Sequence, residues 1–210
     1  MSTTTTLDSL VLPCNQASSD KQVQAVNLSP FQVEKFTALF NFYDQNHDGF
    51  LALEEFVEHA RRVAKAFGWD ENDPRTHYLV DIRTALFWRL GAATEHNGDL
   101  VVSLSDYLCY FERQVYACES ANGPSPSLKQ ACRAIMDLID HDGSDCITYE
   151  EYRNLLVAIG SRASAWDAFC TMDADKDGRL TLHDVEQLAY QFIVSSDPQS
   201  PGNLLYYGRL

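Results

Sequence analysis

The sequence contains few methionines, few basic residues and no long apolar run, and each shortage narrows its possible functions. Three methionines in 210 residues are too few for the methionine-rich grooves with which adaptable peptide-binding proteins hold their targets. Lysine and arginine number 16 against 30 aspartates and glutamates, and the formal net charge of −14 argues against nucleic acid or an anionic membrane as a partner. No segment approaches the roughly 18 consecutive apolar residues of a membrane-spanning helix. We therefore expect a globular protein with no membrane or nucleic-acid partner.

Sequence signals of export, disulfide bonding and catalysis are also missing. Residues 1–20 have neither the basic start nor the apolar centre of a secretory signal, so we expect a cytoplasmic protein. The six cysteines have no C-x-x-C spacing and no clustering with histidine, which indicates reduced thiols rather than zinc sites or disulfides. The six histidines lack a neighbouring nucleophile motif, and we expect no enzymatic activity.

The chain does contain a twelve-residue pattern that recurs at Asp44, Asp140 and Asp173. Side-chain oxygens stand at positions 1, 3, 5 and 12, and together with the backbone carbonyl of position 7 they can surround a calcium ion, which takes about six to eight oxygens. This arrangement is an EF-hand loop. The predicted ligands are Asp44, Asn46, Asp48, the Phe50 carbonyl and Glu55 in loop 1 (44–55); Asp140, Asp142, Ser144, the Cys146 carbonyl and Glu151 in loop 3 (140–151); and Asp173, Asp175, Asp177, the Arg179 carbonyl and Asp184 in loop 4 (173–184). We expect one calcium ion in each of these loops.

Two departures from the pattern bear on ion affinity. Position 6 needs a positive φ angle and is glycine in loops 1 and 4, whereas Asp145 in loop 3 costs about 1 kcal/mol there and predicts a weaker site. Position 12 is glutamate in loops 1 and 3 but Asp184 in loop 4. The shorter side chain reaches an ion with one oxygen and lowers the coordination number towards about six, the number that magnesium demands. We therefore predict that any magnesium competition occurs chiefly at loop 4.

A fourth segment, loop 2 (95–106), keeps the frame of the pattern but loses most of its ligands. Leu100 replaces the glycine of position 6, Gly98 stands at position 4, and the two ends are Glu95 and Asp106. Two interpretations are open, a weak ion site or an ion-free loop that only pairs with loop 1. The second is preferred, because few oxygen ligands remain and an unpaired EF-hand would leave an apolar face exposed.

Apolar residues at a spacing of three to four flank every loop and predict eight helices. The expected fold class is all-α: four helix-loop-helix units in two paired lobes form a compact globule, with short two-stranded pairing between loops. Helix caps are predicted at Ser29, Asp73, Ser127 and Ser164. A cluster of serine, glycine and proline separates the lobes. The predicted divisions are a flexible N-terminal arm (1–28), an N-terminal EF-hand pair (29–119), a linker (120–127), a C-terminal EF-hand pair (128–194) and a C-terminal tail that packs on the lobes (195–210).

The loops begin at residues 44, 95, 140 and 173, and this uneven spacing resembles that of the sarcoplasmic calcium-binding protein and luciferin-binding protein group rather than evenly spaced calmodulin. The segment from Phe192 to Gly208 is also similar to the end of those proteins. The resemblance covers the chain from Ser29 onwards and implies a compact globule whose two EF-hand pairs enclose an apolar interior. Some members of the group buffer calcium, and others hold a small aromatic ligand.

Three functions remain open at this level. We predict a monomeric intracellular calcium buffer, because the scarcity of methionine disfavours a groove that opens on calcium binding. A calcium sensor with an unidentified protein target is the first alternative. A carrier of a small apolar ligand, or a photoprotein-like oxygenase, is the second: Trp69, Trp88 and Trp166 could line a cavity, although aromatic residues in helical stripes usually form core. The chain ends in Arg209-Leu210 rather than in the proline that closes photoproteins, which weakens the luminescent alternative.

Overall fold

The computed structural model describes residues 27–92, 94–161 and 163–206. Most of the predicted N-terminal arm, together with Cys14 and residues 207–210, lies outside these ranges. Within them the chain forms eight α-helices, five short strands and one 3-10 helix (Pro201–Leu204). The helices are α1 (Pro30–Tyr43), α2 (Leu53–Ala66), α3 (Pro74–Arg89), α4 (Leu104–Ser120), α5 (Pro126–Ile139), α6 (Tyr149–Ala158), α7 (Ala165–Met172) and α8 (Leu182–Val194). The all-α expectation is confirmed. In the part of the chain that the structure describes, no helix has the length and apolar character needed to cross a bilayer.

Three of the four predicted helix caps are in place. Ser29 forms a full capping box with Gln32, in which each side chain accepts a hydrogen bond from the other residue's backbone N–H, at 3.2 and 2.9 Å. Asp73 caps α3 by accepting from the backbone N–H of Arg75, and Ser164 caps α7. These side chains satisfy amides that have no partner within the helix, which explains why the helices begin at these residues.

The cap predicted at Ser127 is wrong. The N-cap of α5 is Ser125, whose hydroxyl accepts from the backbone N–H of Leu128 at 3.3 Å, and Pro126 is the first helical residue. Proline suits that position, because its φ angle is already helical and its missing N–H would have had no partner. The helix therefore starts inside the segment predicted as a linker.

Short strands join the loops in pairs: β1 (Phe50–Leu51), β2 (Thr94–His96), β3 (Asp99–Ser103), β4 (Cys146–Thr148) and β5 (Arg179–Thr181). Position 8 of each loop lies opposite position 8 of its partner, since Leu51 is paired with Val102 and Ile147 with Leu180. All four side chains are buried. The second pair forms the expected two-stranded sheet, but the first has three strands in the order β1-β3-β2. The extra strand arises because loop 2 folds back on itself.

Aromatic rings from both halves of the chain meet in one core. Phe36 of α1 stacks on Phe111 of α4 with ring centroids 4.1 Å apart, and it meets Phe192 of α8 edge-on at 5.8 Å. All three rings are buried. Because α1 and α4 belong to the first two units and α8 to the last, the two EF-hand pairs share this core, and the predicted compact globule is confirmed.

Side chains of α1 also bind the C-terminal end of α8. The Gln32 amide donates to the carbonyls of Ile193 and Val194 at 3.2 and 3.1 Å. The Lys35 amine donates to the Ser195 carbonyl at 2.8 Å. Gln32 is 4% exposed and Lys35 1%, and burial lowers the pKa of Lys35 to about 8. A cation suits the negative end of a helix dipole. We call these two side chains and the three carbonyls the α1–α8 clasp.

The segment after α8 folds back onto the helices. The 3-10 helix approaches α8 so closely that a Cβ atom at Gly202 would lie 2.4 Å from the carbonyl oxygen of Leu188. The Tyr152 hydroxyl on α6 donates to the Leu204 carbonyl at 2.6 Å. The Tyr206 ring meets that of Phe192 at 4.8 Å. Residues 195–206 therefore pack on α6 and α8.

Candidate metal centres

Loop 3 brings three of its predicted ligands together. Carboxylate oxygens of Asp140, Asp142 and Glu151 lie within 4.8 Å of one another. Backbone amides wind the loop around them: Ser144 N–H lies 3.0 Å from both Asp140 and Asp142, and Asp145 N–H donates to Asp140 at 2.8 Å. Asp145 has a φ angle of 58°, the left-handed conformation expected for position 6. Three carboxylates this close repel one another, and a divalent cation among them would remove the repulsion.

Loop 4 contains the observation that best fits a metal ion. Carboxylate oxygens of Asp173, Asp175 and Asp177 lie within 4.8 Å of one another. Asp173 is 7% exposed, and its Oδ2 accepts from Gly178 N–H at 2.9 Å. Its Oδ1 is buried without a hydrogen-bond partner among the described residues. A buried carboxylate oxygen without a partner is destabilising, and a bound cation would satisfy it.

Loop 1 is wound in the same way. Asp44 is 4% exposed and accepts from the backbone N–H groups of Asp48 and Gly49 at 3.2 and 3.1 Å. The Asn46 side chain accepts from Asp48 N–H at 2.9 Å and donates to the Asp48 carboxylate at 3.0 Å. The side chains of Asn46 and Asp48 therefore contact each other, whereas Asp44 is held by backbone amides. Among the described residues, clusters of three acids with carboxylate oxygens within 4.8 Å are found in loops 3 and 4 but not in loop 1.

The residues at position 7, whose carbonyls are predicted ligands, each begin a strand. Phe50, Cys146 and Arg179 are the first residues of β1, β4 and β5. Each lies where its loop turns into the strand that pairs with the neighbouring loop. The strand pairing therefore fixes the backbone at position 7 in all three loops.

Glu55 and Glu151, the closing residues of loops 1 and 3, span their loops. One carboxylate oxygen accepts from the position 9 amide, at 3.0 Å in loop 1 and 2.8 Å in loop 3, and so caps the following helix. The other oxygen accepts from the position 2 amide, at 2.8 Å in loop 1 and 2.7 Å in loop 3. A single carboxylate thus ties the two ends of each loop together.

Asp184, the closing residue of loop 4, makes only the cap. Its Oδ2 accepts from the backbone N–H of Thr181 at 2.8 Å and from the Thr181 hydroxyl at 2.6 Å. Asp184 is not part of the carboxylate cluster found in loop 4. The missing methylene group accounts for this difference, because the shorter side chain ends at the helix cap instead of crossing the loop.

Loop 2 is a β-hairpin rather than a twelve-residue loop wound around a point. Strands β2 and β3 pair from Thr94 opposite Val101 to His96 opposite Asp99. Asn97 and Gly98 form the turn, with φ angles of 54° and 91°. Positive angles at both central residues are typical of the type I′ turn that joins tight hairpins, for which Asn-Gly is a favoured sequence. Asn97-Gly98 is therefore the sequence signal for this hairpin, and the interpretation of Gly98 as a displaced loop glycine overlooks it.

The carboxylate that ends loop 2 is already occupied by protein donors. Asp106 Oδ2 accepts from the Thr94 hydroxyl at 2.8 Å and from the Ser103 hydroxyl at 2.6 Å. The first bond ties the acid to β2 and the second makes the cap of α4. Asp106 therefore joins β2 to the start of α4, whereas the Asp184 carboxylate, among the described residues, bonds only to Thr181.

Two arginines lie beside loop 3, which the sequence analysis did not anticipate. Arg133 on α5 is 3.2 Å from the Asp145 carboxylate. Arg179 of loop 4 points its Nη1 atom at the Cys146 sulfur, 4.0 Å away. Hydrogen bonds from Ser144 lower the pKa of Asp142, and the charge of Arg179 adds to this effect. Loop 3 therefore combines clustered carboxylates with nearby positive charge.

Loop 3 also contacts the first EF-hand pair. The His141 ring at position 2 lies parallel to the Trp69 ring, with centroids 6.1 Å apart and planes 6° apart. Trp69 lies between α2 and α3, is buried, and stacks on Phe67 at 5.0 Å. The Arg75 guanidinium covers the same indole at 4.6 Å. The His141 ring thus packs on an aromatic stack of the other EF-hand pair.

Comparison with known proteins agrees with the fold and the loops. An EF-hand family model matches residues 37–58, which include loop 1. The beta chain of a sarcoplasmic calcium-binding protein from Penaeus sp. is 25% identical over 171 residues, covering 78% of this chain and 88% of the relative. The solved structure of a sarcoplasmic calcium-binding protein from amphioxus superposes with a TM-score of 0.64 at 21% identity, covering 88% of this chain and all of that one. A coelenterazine-binding protein from Renilla muelleri, in its calcium-loaded apo form, gives 0.63 at 18% identity, covering 87% of this chain and all of that one.

These findings show the fold and a local sequence match. The chain has the fold of the sarcoplasmic calcium-binding and coelenterazine-binding proteins, and the resemblance inferred from the sequence is confirmed. The family match and the carboxylate clusters of loops 3 and 4 support calcium binding.

Proposed function

We propose that this protein is an intracellular calcium buffer that binds three ions, one in each of loops 1, 3 and 4. The proposed ligands are those predicted from the sequence, with Glu55 and Glu151 as two-oxygen clamps and Asp184 as a one-oxygen ligand. Calcium would supply the positive charge that the clustered carboxylates lack. The protein chain contributes the winding of each loop and the oxygens that replace the ion's water.

The observation that carries the buffer role is the α1–α8 clasp. In a calcium sensor, part of the binding free energy opens a helix pair and exposes an apolar groove. Here α1, which leads into loop 1, is bonded through Gln32 and Lys35 to the end of α8, which follows loop 4. Opening that separates α1 from α8 would break these three hydrogen bonds, one of them buried and two partly buried, and the Lys35 amine would lose its acceptor, which is unfavourable. Calcium binding is therefore expected to order the loops without separating the helices.

Three further parts of the proposal follow from the same architecture and from the relatives. Magnesium competes at loop 4, because the Asp184 carboxylate ends at the helix cap. The protein acts as a monomer, because its apolar core is shared between its own two EF-hand pairs. It works in the cytoplasm, as the name of the sarcoplasmic relatives implies for them.

Native mass spectrometry and a calorimetric titration test the ion count, and an apolar-surface dye tests the buffer role. We expect three calcium ions per chain, a large rise in melting temperature on calcium binding, and dye fluorescence that stays flat or falls. The double variant Gln32→Leu/Lys35→Met removes the clasp and keeps similar side-chain volumes. It should expose apolar surface when calcium is added, whereas Lys129→Met, which removes an exposed lysine of α5, should behave like the parent protein.

Two results would contradict this proposal. A count of one or four calcium ions would refute the assignment of sites. A large rise in dye fluorescence of the parent protein with calcium but not with magnesium would make it a sensor, because the clasp would then not prevent opening.

A second candidate function, carriage of a small aromatic ligand, is favoured by polar groups in the interior. The Arg83 guanidinium donates to the Tyr43 hydroxyl at 2.8 Å, and its Nε atom is buried without a hydrogen-bond partner among the described residues. Burial raises the pKa of Tyr206, and neighbouring Cys132, Tyr43 and Tyr110 add to that rise.

Coelenterazine is a suitable probe because one structural relative is named for binding it. Saturable quenching of tryptophan fluorescence at micromolar coelenterazine would support the carrier, and no change would exclude it for this ligand.

A further inference from the structure

We infer that the guanidinium of Arg179, a residue of loop 4, weakens calcium binding at the neighbouring loop 3. This inference rests on the proposed calcium sites. The backbone carbonyl of Arg179 is a predicted ligand in loop 4, whereas its guanidinium lies next to Cys146 of loop 3.

The side chain and the backbone of Arg179 serve different loops. The backbone N–H donates to Asp177 of its own loop at 2.9 Å. The Cα atom lies opposite Thr148 in the sheet, and the Nη1 atom lies 4.0 Å from the Cys146 sulfur. Cys146 is position 7 of loop 3, so the guanidinium lies beside the residue whose carbonyl is a predicted ligand there. Substitution of the side chain leaves the predicted carbonyl ligand of loop 4 in the chain.

The positive charges beside loop 3 come from outside its own sequence. Loop 3 contains five acids and no lysine or arginine, whereas loop 4 contains four acids together with Lys176 and Arg179. Arg133 of α5 lies 3.2 Å from the Asp145 carboxylate, and Arg179 approaches Cys146 from the neighbouring loop. The charge of Arg179 is therefore added to loop 3 by the pairing of β4 with β5.

Electrostatics converts this proximity into a lower calcium affinity at loop 3. A positive charge a few ångströms beyond an ion's ligands repels a divalent cation, but Arg179 is exposed and water and salt screen the repulsion. We expect the charge of Arg179 to weaken calcium binding at loop 3 by about three- to fivefold at low ionic strength.

The two loops can be followed separately by nuclear magnetic resonance during a titration of the full chain against a calcium chelator of known affinity. The amides of Asp145, Gly178 and Gly49 each donate to the first carboxylate of their own loop, so each reports one site. Three variants are compared with the parent protein: Arg179→Met removes the charge, Arg179→Lys keeps a charge, and Lys176→Met removes a different exposed charge of loop 4.

In Arg179→Met, the Asp145 signal should respond at about three- to fivefold lower calcium than in the parent, and this difference should shrink at about 0.5 M salt. Arg179→Lys and Lys176→Met should leave the loop 3 midpoint within about twofold of the parent, since both keep the Arg179 position charged. An unchanged loop 3 midpoint in Arg179→Met, or an equal gain in Lys176→Met, would overturn the inference although calcium still binds. Failure of the parent to bind calcium at loops 3 and 4 would instead refute the proposed function.

Discussion

Each EF-hand pair joins a loop closed by glutamate to a loop closed by aspartate, yet the two aspartate loops have different structures. Asp106 and Asp184 both cap a following helix, and both accept from the hydroxyl of the position 9 residue at 2.6 Å. Loop 4 nevertheless keeps three clustered carboxylates, whereas loop 2 forms a hairpin. The closing acid therefore does not distinguish a wound loop from a hairpin. It is the third residue of a helix in either case, and a capping box alone explains its presence.

The difference lies in the first half of each loop. Asp173, Asp175 and Asp177 supply acceptors that backbone amides can wind around, whereas Asn97-Gly98 has the conformational preference of a tight hairpin turn. Once loop 2 forms this turn, strands β2 and β3 pair with each other, and the closing acid Asp106 accepts a hydrogen bond from Thr94. The turn chemistry of positions 1–6 therefore distinguishes a wound loop from a hairpin, and the following predictions test whether it also distinguishes an ion site from an ion-free loop.

The largest effect is expected for the two closing glutamates. Glu55→Gln or Glu151→Gln keeps a side chain that can cap the helix but removes a charged ligand, so affinity at that loop should fall by about 100-fold or more. Native mass spectrometry at limiting calcium should count one ion fewer in each variant. Asp106→Asn is the matched control and should leave the count unchanged; an ion lost in that variant would show that loop 2 is a working site.

Lengthening the closing aspartates should separate the two aspartate loops. Asp184→Glu gives loop 4 a carboxylate long enough to reach position 2, and should raise its calcium-over-magnesium selectivity by about tenfold. Asp106→Glu makes the same change in loop 2 and should create no new site. Competition titrations with both metals measure the two outcomes. If Asp184→Glu and the parent protein give the same selectivity, position 12 does not set coordination at loop 4.

A smaller effect is expected at position 6. Asp145 holds a φ angle of 58°, and Asp145→Gly relieves a strain of about 1 kcal/mol, which corresponds to roughly a fivefold gain in affinity if the wound loop is the binding-competent form. The reverse change, Gly178→Asp, should weaken loop 4 by a similar factor. Competition with a calcium chelator measures the affinity of both variants. Asp145→Gly should raise affinity at loop 3 and Gly178→Asp should lower it at loop 4, and changes in the same direction would contradict the prediction.

The smallest effect should appear in stability alone. Thr94→Val removes the hydroxyl that donates to Asp106, and should lower the free energy of unfolding by about 1 kcal/mol without changing the calcium count. Chemical denaturation in calcium-free buffer measures the change. Thr171→Val, which removes an exposed hydroxyl bonded only within α7, serves as the control. A loss of calcium at loop 1 in Thr94→Val would mean that the hairpin also shapes the neighbouring site.

Much of this architecture could be predicted, because the sequence signals of the loops and helix starts match the structures they form. The winding of loops 1, 3 and 4 follows from their spaced acceptors, and the pairing of Leu51 with Val102 follows from the frame of loop 2. The start of α5 was misplaced by two residues because Ser125-Pro126 and Ser127 both offer a serine cap, and only the proline distinguishes them. The hairpin was missed because the frame of the repeat was given more weight than the Asn97-Gly98 turn.

Features that depend on distant parts of the chain could not be predicted in this way. Nothing near Lys35 in the sequence indicates that its amine meets the Ser195 carbonyl, 160 residues away. The approach of the Arg179 guanidinium to Cys146 likewise depends on how β4 and β5 pair. Sequence patterns specify which atoms a loop offers, but the charges that surround the loop are set by tertiary packing.

The stack of His141 on Trp69 connects loop 3 to the α2–α3 turn. His141 donates its backbone N–H to Glu151 at 2.7 Å. The residue whose ring stacks on Trp69 is therefore also hydrogen-bonded to the closing carboxylate of the loop. By thermodynamic linkage, if an ion at loop 3 strengthens the contact between His141 and Trp69, that contact strengthens ion binding by the same free energy. If loop 3 binds calcium as proposed, the indole of the first EF-hand pair thus contributes to the binding free energy of a site in the second, although it supplies no ligand.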